Sequence, residues 1–189
     1  MAALPVPKTP MTDEEYLAFE RTSEEKHEFL AGELFAMSGA KKAHNLVTAN
    51  LIRLLGNLLL ERPCLVFPAD MKTHIPSTGL YAYPDVTVVC GEPVFQDESE
   101  DVLLNPKLIV EVLSDSAESY DRGEKFEAYQ TIESLQDYVL VSPKKARIDC
   151  FTRRADGWLL RSFGAGERMV IESLECELAV DDVYVKVFG

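Results

Sequence analysis

The run Pro84-Asp85-Val86-Thr87-Val88-Val89, then an acidic loop, then Lys107-Leu108-Ile109-Val110-Glu111-Val112-Leu113-Ser114, decides the reading of this chain. Both apolar runs have the length and β-branched content of buried strands. Each carries one carboxylate, and a carboxylate buried among Val, Ile and Leu is costly unless something pairs with it. Two such carboxylates imply a shared cation. A helical segment follows at about residues 118–131 and carries Asp121, Arg122, Lys125 and Tyr129. A lysine there points to a negatively charged substrate.

Strand side chains alternate between faces. Asp85, Thr87 and Val89 therefore share a face of the first strand, and Ile109, Glu111 and Leu113 share a face of the second. If the strands are neighbours, Asp85 and Glu111 converge at the end of the sheet. With the Val112 backbone carbonyl they form an oxygen-rich site suited to Mg²⁺ or Mn²⁺. Such a metal lowers the pKa of a bound water and stabilises charge at a phosphodiester. A lysine beside it orients the nucleophile or neutralises the transition state.

Working outward, residues 1–11 read as a flexible arm and residues 12–189 as one domain. Thr12 to Glu15 is a capping box opening a short helix. Residues 26–37 read as a hairpin turning at Ala31-Gly32. The longest helix is expected at about 41–61, its buried stripe formed by Val47, Leu51, Leu54, Leu55 and Leu58, with Pro63 as its stop. His44 lies on that inward face. Residues 64–75 read as a strand and 76–82 as a turn. Residues 91–106 read as an acidic loop over part of the cleft. Further strands are expected at 137–142, 147–152 and 158–163, then a short strand and a small helix near Asp181. Apolar strands flanked by helices predict an α/β fold: a mixed sheet covered on both faces, with appended β-hairpins.

The formal net charge of −13 excludes a basic nucleic-acid coat, though not an enzyme that gathers its cations around one cleft. Cys64, Cys90, Cys150 and Cys176 make no C-x-x-C and read as buried reduced thiols. No apolar run is long enough to span a membrane, and the N-terminus lacks the pattern of a secretory signal. The expected compartment is the cytoplasm.

Pro84-Asp85 followed by Glu111-Val112-Leu113 resembles the active-site signature of the PD-(D/E)xK nuclease superfamily. The segments YPDVTVV, NPKLIVEVLSDS, YDRGEKFEAY and LQDYVLV, in this order, resemble the Uma-type restriction endonuclease family within it. KHEFLAGEL and Ala43-His44-Asn45 fit that family too, and the likeness spans about residues 12–185. It implies a restriction-endonuclease-like core and metal-dependent hydrolysis of DNA phosphodiesters. Leu113 stands where the signature has its lysine, and Lys125 on the following helix is the natural substitute.

Asp85 and Glu111 are thus the expected metal ligands and Lys125 the catalytic cation. His44, Glu28, Glu33 and Tyr129 are candidate supporting residues. For each a plainer reading stands beside that one: a satisfied inward histidine, solvated hairpin carboxylates, a core tyrosine. Lys125 itself could be only an exposed i, i+4 partner of Asp121. Asp121 and Arg122 read as structural. Cutting both strands of a duplex favours a homodimer. Two other functions fit the acidic charge: a non-catalytic nucleic-acid-binding or interaction module on the same fold, and a hydrolase of small phosphorylated molecules.

Overall fold

The computed structural model describes residues 10–188. Residues 1–9 of the expected arm lie outside the described residues. Met11, at its end, donates its N–H to the Gly32 carbonyl. The capping box forms at the start of α1 (Asp13–Glu20): Thr12 Oγ1 accepts from the Glu15 N–H, and the Glu15 carboxylate accepts from the Thr12 N–H. The hairpin of β1 (His27–Leu30) and β2 (Glu33–Ala36) turns at Ala31 and Gly32, with φ of 51° and 93°. A Cβ on Gly32 would lie 2.6 Å from the Pro10 Cβ, so glycine serves both the turn and the close approach.

The long helix α2 (Lys42–Leu58) buries Val47, Leu51 and Leu55 as the spacing predicts. It ends before Pro63, so Leu58, expected on the stripe, is 39% exposed and Leu59 is buried instead. Residues 64–75 do not form one strand. They make β3 (Cys64–Pro68) and β4 (Lys72–Ile75), which belong to different sheets. Pro68 ends the first, and the chain turns through Ala69-Asp70. Part of the expected turn at 76–82 is a third short strand, β5 (Leu80–Ala82), paired antiparallel with β4.

The main sheet has six strands. Its order is β11 (Gly157–Gly164), β10 (Arg147–Arg154), β9 (Asp137–Val141), β8 (Leu108–Val112), β6 (Val86–Cys90) and β3. Only β8 and β9 pair in parallel, so the sheet is mixed as expected. A second sheet runs β2-β1-β5-β4-β7, where β7 is Val102–Leu103 from the acidic loop. That loop is tied down by Arg21, which pairs with Asp97 and Asp101, and by Lys72, which pairs with Asp101.

Alternation along β8 sorts its side chains between two cores. Leu108, Val110 and Val112 pack with α2 and with α5 (Val180–Val183). Ile109 and Leu113 pack on the opposite side, with α4 (Glu124–Gln130), β4 and β5. Glu111 shares that second face, which is why the helix bearing Lys125 meets it. The helix expected at 118–131 is broken: α3 (Glu118–Arg122) and α4 are separated by Gly123, where a Cβ would meet the Ser119 carbonyl at 3.1 Å.

The expectation of four reduced cysteines is corrected. Cys64 and Cys90 face each other across β3 and β6 and form a disulfide, with Cα atoms 4.0 Å apart. Their sequence separation of 26 residues concealed the pairing, which only the strand register creates. Cys150 is buried and free, and Cys176 is free and half-buried. Closing a loop of this size is worth roughly 3 kcal/mol. Excess reductant is therefore expected to lower the melting temperature of the native chain and leave a Cys64→Ser/Cys90→Ser variant unmoved; equal shifts in both would refute the bridge.

Candidate active site

The site forms where β6 and β8 end. Their register pairs Val86 with Val110, and continuing it by one residue sets Asp85 opposite Glu111. Pro84 has no N–H to extend the ladder. Beyond the ladder, the Val112 N–H donates to a side chain instead: Asp85 Oδ2 accepts it at 2.7 Å. Asp85 is thereby held at the sheet end without being a regular strand residue. From the α2 side, His44 Nε2 lies 3.2 Å from the same Oδ2. Its Nδ1 is buried without a partner.

Glu111 is 5% exposed. Its Oε1 accepts from the Tyr129 hydroxyl at 3.0 Å and lies 2.9 Å from Lys125 Nζ. Lys125 is equally buried. Its ammonium also reaches Glu28 of β1 at 2.8 Å and stands 3.8 Å from Asp121, one helical turn back. The Tyr120 ring lies 5.9 Å from Nζ. Lys125 is thus no exposed surface partner of Asp121. It is the centre of a buried cluster drawn from β8, β1 and the two short helices.

Four carboxylates, Glu28, Asp85, Glu111 and Asp121, meet here with one ammonium and one imidazole. Burial pushes the Glu111 carboxyl up to about 8; Lys125 opposes that rise, and Asp121, Asp85 and Glu28 add to it. Burial likewise lifts Asp121 to about 6, against Lys125 and with Glu28 and Asp85. For Lys125, burial works against the charge, but Glu111 first, then Tyr129, Glu28 and Asp121, hold it well above the usual range. For His44, burial also opposes protonation, yet the bond to Asp85 and the Val112 carbonyl raise it overall. The cluster is short of positive charge.

That shortage bears on a metal. Among the described residues no three His, Cys, Asp or Glu side chains form a metal-ligating group. The register sets two carboxylates, Asp85 and Glu111, opposite each other at the sheet end, next to Val112. An oxygen-only set of this kind suits a hard cation that keeps several waters. These residues fit Mg²⁺ or Mn²⁺, and an added divalent charge would relieve the carboxylate excess.

The remaining sequence candidates divide. Glu28 joins the cluster through Lys125. Glu33 does not: it is exposed beside the hairpin turn, opposite Leu30, while Glu28 lies two residues further along β1. Tyr129 is fully buried and also bonds Glu111, so packing and site support coincide. Arg122 pairs with Glu118 and with buried Asp149 and stays outside the cluster. Asp121, read from sequence as structural, belongs inside it. The i, i+4 spacing to Lys125 was its one visible signal.

Asp121 supplies a pH test. Its folded pKa lies above its ordinary value, so the stability linked to it is complete below about pH 4 and is lost as pH rises through about 6. Asn has the shape without the charge. In metal-free buffer Asp121→Asn is expected to gain on the native chain by about 1–3 kcal/mol between pH 4 and pH 7. Urea unfolding at each pH measures it, and a constant difference across that window would refute the placement.

Comparison with known proteins agrees with this architecture. The model of the family described as "Uma2: Putative restriction endonuclease" matches residues 13–181. Two Synechocystis proteins of strain PCC 6803 are similar: slr1290, 39% identical over 181 residues (95% of this chain and 93% of that protein), and sll1609, 40% identical over 163 residues (86% and 92%). Both are described as uncharacterized. The crystal structure of "a putative nuclease belonging to DUF820" from Anabaena variabilis superimposes with a TM-score of 0.77 at 14% identity, covering 95% of this chain and 100% of that one. At that identity the likeness shows the shared fold. With a family match across nearly its whole length, the chain belongs to the Uma2 family of restriction-endonuclease-like proteins.

Proposed function

We propose that the protein is a metal-dependent endonuclease that hydrolyses DNA phosphodiester bonds. One observation carries the reading: a buried lysine from the helix after β8 delivers its ammonium to within 2.9 Å of Glu111, although Leu113 occupies the strand position where such a lysine is expected. Family membership and the paired carboxylates at the sheet end support it.

Asp85, Glu111 and the Val112 carbonyl would hold Mg²⁺ or Mn²⁺. When bound, the cation would lower the pKa of a water and stabilise charge on the phosphoryl oxygens. The chain's own groups do the rest. Val112 N–H and His44 fix Asp85, and the Tyr129 hydroxyl fixes Glu111. Lys125 has three donors. One donates to Glu28, and the ammonium is ion-paired with Glu111 at 2.9 Å; in this reading a further N–H serves a substrate oxygen or the attacking water. A duplex is cut on both strands most simply by two copies about a two-fold axis, so the working form in this reading is a homodimer.

Three measurements test the proposal. Asp85→Ala or Glu111→Ala is expected to abolish Mn²⁺ binding by calorimetry while the circular dichroism spectrum persists; unchanged affinity in both variants would sink the metal assignment. Lys125→Ala should keep Mn²⁺ binding and lose about 10²–10⁴ in cleavage rate on plasmid DNA. Lys125→Arg should restore only part of that, because a planar guanidinium is not a point charge. If Lys125→Ala cleaves at the native rate, the lysine has no catalytic role. Plasmid, single-stranded DNA and RNA compared with Mg²⁺ or EDTA identify the substrate, and no cleavage of any of them would favour the binding-module reading.

A further inference from the structure

Surface cations in this acidic chain are mostly neutralised by carboxylates at close range. Arg21 faces Asp97 and Asp101 together, Lys26 faces Asp70, and Arg168 faces Glu177. Beside the sheet end the ratio reverses. Asp115, in the loop that follows Glu111-Val112-Leu113, is shared by Lys41 and Lys144. Lys41 is the N-cap position of α2, three residues before His44. Lys144 lies in the turn between β9 and β10. The strand register explains the meeting: Val112 pairs with Val141, so that turn stands next to the loop leaving β8.

All three groups are open to solvent, with side-chain exposures of 88% for Lys41, 63% for Lys144 and 61% for Asp115. Their neighbours Lys42 and Lys145 are also exposed and make no ion pair among the described residues. Two lysines from two distant segments therefore share one carboxylate beside the candidate site; Lys42 and Lys145 adjoin them in the chain, and Glu118, paired with Arg122, is the next acid that faces Lys144. Another carboxylate shared by two cations, Glu172 with Arg154 and Arg161, lies at the opposite end of β10 and β11.

We propose that Lys41 and Lys144 form a docking site for the phosphates of a nucleic-acid strand that flank the bond to be cut, with Asp115 occupying that site until substrate displaces it. The proposal rests on the nuclease reading and specifies where its substrate's backbone lies. Phosphate suits the place better than a carboxylate ligand. Two ammonium groups on flexible stems carry no fixed fork for a planar anion, whereas a run of backbone phosphates meets point charges at any rotation. Asp115 has a function in this scheme too. An exposed ion pair contributes little to folding, but it occupies the lysines in the free protein and raises the threshold for anions that bring only one charge.

The test is binding of a fluorescent 20-base-pair duplex, followed by anisotropy in Ca²⁺ buffer at several salt concentrations. Lys41→Gln/Lys144→Gln is expected to bind about 10- to 50-fold more weakly at 0.1 M salt and to lower the slope of log affinity against log salt by about 2, one per lost phosphate contact. Asp115→Asn is expected to bind several-fold tighter, a sign that general disruption would not give. An Arg53→Gln/Lys186→Gln control removes the same net charge elsewhere and should change the affinity by less than a third as much. Native Mn²⁺ titrations in every variant confirm the fold. If the native chain binds the duplex and the lysine variant keeps its affinity and salt slope, the docking site is wrong and the nuclease reading stands. If the control loses as much as the lysine variant, only overall charge is acting and the site is likewise overturned. If the native chain binds neither duplex nor single strand at low salt, the nuclease reading falls, and this inference with it.

Discussion

The buried ammonium of Lys125 is the interaction on which the site depends. Removing an ammonium from water costs several kcal/mol after relaxation, and only close, well-placed carboxylates offset that cost. Glu111 and Glu28 stand at 2.9 and 2.8 Å for that purpose. They arrive from different sheets, so the pairing needs β1 and β8 to be correctly placed relative to α4. The break at Gly123 lets the chain turn between α3 and α4, with Asp121 still near enough to share the charge. One cation thus records the assembly of three parts of the fold. Deleting a single partner would leave an uncompensated buried charge, so the cluster joins stability to site geometry.

The sheet end adds a second constraint. A regular ladder would have consumed the Val112 N–H in backbone pairing. The ladder ends before it, and an aspartate side chain makes the bond instead. That bond and the contact with His44 hold the carboxylate in place through one of its oxygens. Because β8 separates two cores, cationic groups approach from both sides: His44 from the α2 face and Lys125 from the α4 face. A site built in this way sits on secondary structure, which holds side chains more tightly than loops do.

Much of this could be read in advance from local pattern. Alternation along two apolar runs located Asp85 and Glu111, because period-two burial is a property of neighbouring residues. Thr12 and Glu15, and Ala31-Gly32, announced their own helix start and turn. Lys125 needed the family likeness, since nothing local says that a helical lysine returns to a strand. The misses are of one physical kind. Asp121 entered the cluster, and Glu33 stayed out, through packing between segments far apart in sequence. The separation of residues 64–75 into two sheets, and the Cys64–Cys90 bridge, depend on which strand becomes whose neighbour. Register across a sheet is long-range information, and a single sequence does not display it.

The acidity of the chain, which excludes a basic nucleic-acid coat, takes on a further meaning once charges are assigned to places. What an approaching polyanion meets is the local potential, and the Debye length of about 8 Å at physiological salt makes distant carboxylates nearly invisible to it. Asp97 and Asp101 are held by Arg21 and Lys72 at one side of the molecule. The four carboxylates of the cluster are largely buried around Lys125, and in the loop that leaves β8 Lys41 and Lys144 share Asp115. A net charge of −13 then opposes indiscriminate attachment to nucleic acid, and under the proposed docking by Lys41 and Lys144 one approach is left open. For a protein that would cut DNA in the presence of its host's own genome, weak binding everywhere except at a loaded site is a physically sensible arrangement, because specificity is a difference between affinities and can be increased by lowering the nonspecific one.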